Sequence, residues 1–168
     1  TTRRRSRLVS AAVLFAGLVA VSTSSAVGAA AVGSCDSDVP GLLGFVPTSM
    51  GDAIGLAALD HYVYVADWSG RLQVVDVSDP CAPVLEPGYA DNPGNEIGDV
   101  ATDGTRVYLA ADANGVRAYD LPTPTTFQYA SGRSDSSYAH SIMIADGKIY
   151  AGYIYAGAGL AIHDVATF

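Results

Sequence analysis

Charge is scarce in this sequence. Only 15% of its 168 residues are charged, with nine Lys and Arg set against seventeen Asp and Glu, while 49% are apolar. That balance excludes a disordered chain, because there is ample material for a core. A formal net charge of −8 argues against nucleic acid as a partner, since phosphates require clustered Lys and Arg. With two cysteines the chain can form at most one bridge, so a disulfide framework is excluded. Eighteen glycines fall far short of the one in three that a collagen needs. No G-x-S-x-G, H-E-x-x-H, glycine-rich phosphate loop or C-x-x-C occurs. These absences argue against the common hydrolase, zinc and nucleotide signatures.

What is present begins with an address. Arg3, Arg4, Arg5 and Arg7 precede an uncharged, mainly apolar run from Leu8 to Val21, and small residues follow to Ala31. This order predicts a cleaved export signal over 1–31, cut near Ala29 to Ala31. The apolar run is shorter than the roughly 20 residues of a membrane helix. Two variants stay open: Val32-Gly33-Ser34-Cys35 has the form of a lipobox that would lipidate Cys35, and Arg4-Arg5 is a partial twin-arginine signal. The expected location is secreted or cell-surface, with membrane contact only through the signal or a lipidated Cys35. Without the first 31 residues, five bases face seventeen acids, a net charge of −12 that should repel nucleic acid and anionic lipid.

The remainder repeats. Tyr64, Tyr108 and Tyr150 align at spacings of 44 and 42 residues, and Asp76, Asp120 and Asp164 align at 44 and 44. Each unit reads as short strands with no segment of helical period. In the first, Ala53 to Leu59, Tyr62 to Ala66, Arg71 to Val77 and Val84 to Ala90 are predicted strands separated by turn residues. Within the third of these, Leu72 and Val74 are expected on one face and Gln73 and Val75 on the other. Four antiparallel strands in 40 to 45 residues match a β-propeller blade. The expected fold is all-β, with about three four-stranded blades: 50–93, 94–137 and an incomplete 138–168. A tail at 32–49 precedes them. Its Pro40 to Pro47 stretch is expected to form an outer strand that closes the ring against a last blade. Because a propeller needs roughly four to eight blades, the chain is read as the N-terminal part of a longer one.

The segment YVYVADWSGRLQVVDVSDPCAP at 62–83 resembles the LVIVD repeat, a bacterial propeller repeat of surface and secreted proteins. The Tyr-Val-Tyr-Val-Ala-Asp strand, the Gly70-Arg71-Leu72 turn and the Val75-Asp76-Val77-Ser78-Asp79-Pro80 exit carry the likeness. The second unit departs at Leu121-Pro122-Thr123-Pro124. The third inserts residues at Tyr155-Ala156-Gly157-Ala158. A YVTN-type propeller shares the strand signature. The resemblance implies a fold and says little about activity.

Candidate site residues follow from position. Asp76, Asp120 and Asp164 recur in every unit, which marks them as structural carboxylates at strand exits. Asp52, Glu96, Asp99 and His140 stand at or near inner-strand starts and are candidates to line a central channel. Asp91 to Glu96 and Asp112-Ala113-Asn114-Gly115 carry oxygen ligands without the full calcium-loop series, so the cofactor is unknown, with calcium open. His61, His140 and His163 form no metal set by spacing. Cys35 and Cys81 are expected to pair, since an exported chain matures in an oxidising compartment; a lipidated Cys35 with a free Cys81 remains the alternative. Tyr62, Tyr119, Tyr129, Tyr138, Tyr153 and Tyr155 suit sheet packing or an aromatic binding surface. The leading functional expectation is a non-enzymatic exported scaffold with a protein or glycan partner. The alternative is a metal-dependent, lactonase-like propeller hydrolase with its site in the channel.

Overall fold

The computed structural model describes Cys35 and residues 41–48, 51–91, 96–134, 138–155 and 157–168. The expected export signal at 1–31 lies outside these residues, and so do residues 32–34, 36–40 and 49 of the tail. The described residues belong to one compact unit, 33–168.

Eleven strands form three antiparallel sheets among the described residues. The first is β1 (Ala53–Leu59), β2 (Tyr62–Asp67), β3 (Arg71–Asp76) and β4 (Val84–Asp91), paired in that order. The second repeats it with β5 (Asp99–Thr102), β6 (Arg106–Ala110), β7 (Val116–Thr123) and β8 (Thr126–Arg133). The third holds β9 (Tyr138–Ala145), β10 (Lys148–Ile154) and β11 (Gly159–Asp164), followed by a 3-10 turn at Val165–Thr167. These sheets are the blades of a β-propeller, and the first strands β1, β5 and β9 lie side by side.

Short polar turns set the register. Leu59 pairs with Tyr62 and Ala145 with Lys148, so two residues close each hairpin. Asp60 takes φ 53, while Asp146 and Gly147 take φ 50 and 69. Asp-Gly with both residues left-handed is the turn whose twist suits two adjoining strands. In the second blade the loop is longer. There Asp103 accepts from the backbone N–H groups of Thr105 and Arg106, both at 2.8 Å.

Two cores lie between the sheets. The first joins Tyr64, Ala66, Leu72 and Val74 of one blade to Val100, Val107, Leu109 and Tyr119 of the next. The second joins Tyr108, Ala110, Val116 and Ala118 to Ile142, Ile149, Ala151 and Tyr153. Each blade thus turns its repeated-tyrosine face forward and its opposite face backward. The expected alternation of β3 holds, with Leu72 and Val74 in the first core and Gln73 and Val75 on the other face. Leu72, Gln73, Val74 and Val75 are all buried, since both faces of the strand are covered. Gln73 is accommodated because its Nε2 donates to the buried Asp67 carboxylate at 2.5 Å.

Residues 42–48 form no strand among the described residues; the last blade on which Pro40 to Pro47 is expected to close lies outside them. Cys35 and Cys81 are joined as a disulfide with Cα atoms 5.2 Å apart. Gly44 lies so close to Pro80 and Pro83 that an added Cβ would overlap them. The segment is thereby held against its own first blade, where Pro80 and Pro83 offer no N–H for a ladder.

Candidate functional site

The repeated aspartates are engaged at strand exits. Asp76 Oδ1 accepts from the Ser78 N–H at 2.7 Å, and Asp164 Oδ1 accepts from the Ala166 N–H at 2.9 Å. Asp164 Oδ2 also meets Lys148 Nζ at 2.8 Å, and Asp120 Oδ1 meets Arg106 Nε at 2.6 Å. In both cases the partners are cross-strand neighbours. The corresponding neighbour of Asp76 is Tyr62, which supplies no cation. Asp76 is held below the usual carboxylate range first by the Ser78 backbone bond, and Asp164 first by its bond to Lys148. These carboxylates bind the fold's own groups.

Asp52, Glu96, Asp99 and His140 have different surroundings. Asp99 lies between blades: its Oδ2 accepts from the Ile142 N–H at 3.0 Å and its Oδ1 from the Val100 N–H at 2.9 Å. Gly55 makes room for this carboxylate, since a Cβ there would lie 2.6 Å from Asp99 Oδ1. Asp99 therefore ties β5 to β9. Asp52 contributes its backbone carbonyl, which accepts from the Trp68 N–H at 2.9 Å. Glu96 is half-buried just ahead of β5. No group of three or more His, Cys, Asp or Glu side chains is arranged to hold a metal ion among the described residues.

His140 instead joins an aromatic group. Tyr153 pairs with Ala139 and Gly152 with Ser141, which leaves His140 as the extra residue of a β-bulge. Bulges re-aim side chains, and the His140 ring stands edge-on to Trp68 with centroids 6.1 Å apart. The backbone of Gly98 approaches His140 so closely that an added Cβ would lie 2.5 Å from its carbonyl oxygen. Tyr138, two residues earlier in β9, meets Tyr155 edge-on at 5.3 Å. Tyr155 sits in the inserted loop of the third blade with φ 64, where the Ala158 N–H donates to its carbonyl at 2.9 Å. All four rings are exposed.

Trp68 is positioned by its turn. Asp67 Oδ1 accepts from the Ser69 N–H at 2.8 Å, the Asp67 carbonyl accepts from the Gly70 N–H at 2.9 Å, and Gly70 adopts φ 88. The buried Asp67–Gln73 pair lies beneath this turn. Sequence reading singled out His140, Tyr138 and Tyr155 but missed Trp68. The available signal was a lone tryptophan in a polar turn, Asp-Trp-Ser-Gly, away from any apolar alternation.

The other expected positions are structural in their surroundings. His61 stacks on Tyr62 with centroids 4.2 Å apart, and His163 meets the Phe168 ring at 5.4 Å. Asp112 exchanges backbone hydrogen bonds with Ala139 at 3.0 and 3.1 Å, so the 112–115 turn joins blade two to blade three. Residues 92–95 of the other loop considered for calcium lie outside the described residues.

Comparison with known proteins fits this architecture. The family model described as LVIVD repeat matches residues 50–91, the first blade. The crystal structure of Myxococcus xanthus glutaminyl cyclase superposes with a TM-score of 0.51 at 18% identity, covering 69% of this chain and 47% of that one. The structure of U3-55K gives 0.52 at 12% identity, covering 62% and 36%. The chain thus spans less than half the length of either. At these identities the likeness is one of fold alone. No curated protein matches the sequence. The repeat match over the first blade and the three sheets with their forward-facing tyrosines agree on a β-propeller repeat architecture.

Proposed function

We propose that the protein is an exported binding scaffold, secreted or held at the cell surface, and that Trp68, Tyr138, His140 and Tyr155 take its ligand. The observation carrying this reading is the aromatic group itself: two edge-on ring pairs, exposed, set by a bulge and an inserted loop. Buried aromatics stabilise a core, whereas exposed rings on fixed turns offer faces for the C–H surface of a sugar or for an apolar peptide side chain. The acidic character of the chain beyond its N-terminal segment favours a neutral or basic ligand over an anionic one. The four-arginine n-region with its apolar run, and a disulfide at Cys35–Cys81, support export to an oxidising compartment.

The single tryptophan makes the test direct. Titration with a panel of soluble glycans and unstructured peptides should change Trp68 emission for at least one class. Tyr155→Ala should weaken that response by roughly tenfold, the loss expected for one stacking partner. Saturable binding that Tyr155→Ala and His140→Ala both leave unchanged would place the ligand elsewhere.

A further inference from the structure

Blades one and two share a turn of the same length and hold it in different ways. Asp67 pairs with Arg71, and the Ala111 N–H donates to the Gly115 carbonyl at 2.7 Å, so three residues close each loop. The inner bond recurs as well. The Gly70 N–H donates to the Asp67 carbonyl and the Asn114 N–H to the Ala111 carbonyl, both at 2.9 Å. Trp68 and Asp112 are therefore equivalent positions of the repeat.

In blade two the next blade anchors the turn, through the two backbone bonds between Asp112 and Ala139. In blade one the Trp68 N–H goes instead to the carbonyl of Asp52, just ahead of β1. A side chain supplies the second anchor. Asp67 is fully buried; its Oδ1 accepts from the Ser69 N–H at 2.8 Å and its Oδ2 from Gln73 Nε2 at 2.5 Å. Gly51 leaves room for this carboxylate, since an added Cβ would overlap Oδ1.

The repeat shows that a blade folds without this pair. Ala111 takes the place of Asp67 and is equally buried, and Arg117 stands where Gln73 does. A carboxylate and an amide are costly to bury, and apolar groups in the same space would be about as stable. What the turn of blade one carries, and that of blade two lacks, is the indole.

We propose that Asp67 and Gln73 are positioning residues for Trp68, a buried polar pair that fixes the indole on the blade surface rather than stabilising the blade. The inference rests on the reading that Trp68 takes the ligand, and it makes that ring preorganised: the turn is ordered on folding, so binding does not have to order it.

The test compares Asp67→Ala/Gln73→Leu with the wild type, the single tryptophan serving as reporter. Removing both partners together strands neither, so the urea midpoint should stay near the wild-type value or rise. The indole should loosen, with lower steady-state anisotropy and stronger quenching by acrylamide. Asp67→Asn should keep both readings, because its amide oxygen still accepts from Ser69 and its amide nitrogen donates to a turned Gln73 side chain. In the panel of soluble glycans and unstructured peptides, affinity should fall roughly tenfold in the double variant and hold in Asp67→Asn. Unaltered anisotropy and quenching in a folded double variant would overturn the proposal. So would loss of the fold in both the double variant and Gln73→Leu alone, which makes the pair a requirement of the blade. A wild type that binds nothing in the panel sinks the scaffold reading instead, and the optical result still decides whether the pair holds the indole.

Discussion

The hydroxyl of Tyr64 in the first blade donates to the carbonyl oxygen of Pro124 in the β7–β8 turn of the second, at 3.0 Å. The same ring meets Phe127 edge-on at 6.1 Å. One repeat later, Tyr108 meets Phe168 at 6.0 Å, so the 3-10 turn after β11 supplies the aromatic that β8 supplies to blade one. Tyr150, the third copy, is half-buried. The repeated tyrosine is therefore an interblade contact.

Its energetic weight should depend on the blade. Tyr64→Phe removes one hydrogen bond and should cost about 1 kcal/mol. Tyr64→Ala also leaves a cavity and should cost about 3–5 kcal/mol. Tyr150→Ala should cost about 1 kcal/mol or less, because Tyr150 is only half-buried. Urea unfolding of the three variants checks this order, and equal losses at Tyr64 and Tyr150 would contradict it.

The Tyr108 hydroxyl should resist ionisation. Burial, followed by the bond to Asp103 at 2.9 Å, pushes its pKa up to about 12. The unfolded phenol ionises near the ordinary value of 10.0, so stability at this residue is fully present below that value and is lost as pH rises towards about 12. Tyr64 is raised as well, chiefly by burial. Ultraviolet titration should show ordinary tyrosines ionising first and a late step that Tyr108→Phe removes.

At low pH the carboxylates act in the opposite sense. The folded pKa of Asp164 is lowered by Lys148 and then by the Ala166 N–H, so its contribution is present above the unfolded value of 3.8 and is lost as pH falls through the folded one. Lys148→Met should move the Asp164 carboxyl back towards its ordinary value. Nuclear magnetic resonance titration of the side-chain carboxyl carbon reads this directly. The effect on stability should be small, because the pair is exposed.

Gly98→Ala should be poorly tolerated. Its Cβ would meet the carbonyl oxygen, Cα and carbonyl carbon of His140, all within 3.1 Å, and backbone atoms have no rotamer by which to retreat. A loss of about 1–3 kcal/mol is expected, with a shift in the His140 ring resonances. Gly159→Ala is the control, since nothing lies within 4 Å of the added methyl.

Removing the disulfide by Cys81→Ser should lower stability by about 2–4 kcal/mol, given a sequence separation of 46. It should also expose Val63 and Val75, which border the tail groove. Thermal unfolding under reducing and non-reducing conditions checks the first expectation, and binding of an apolar dye checks the second.

The strands were legible because their signals are local. Tyr-Val-Tyr-Val-Ala-Asp and Arg-Leu-Gln-Val-Val-Asp carry β-branched and aromatic residues between turn residues, and the 44-residue recurrence of tyrosine and aspartate exposes the blade as a unit. Alternation set the faces of β3, but the burial of Gln73 was not legible, because a strand covered on both sides has no solvent face to mark in sequence. Of the site, His140 was visible as an inner-strand start, but its pairing with Trp68 joins residues 72 positions apart. No periodicity encodes that distance.

By itself the sequence determined the repeat, the all-β blades and the order of their strands, since hydrophobic period, turn chemistry and register are properties of neighbouring residues. It also determined the sign of the charge beyond residue 31. Tertiary structure alone decided which face of each blade is covered, because burial depends on the adjacent blade. It likewise decided that Asp99 spends its carboxylate on backbone N–H groups of β5 and β9, and that four rings from two blades share one end of the inner strands. A side chain's role here follows from what the next blade places against it.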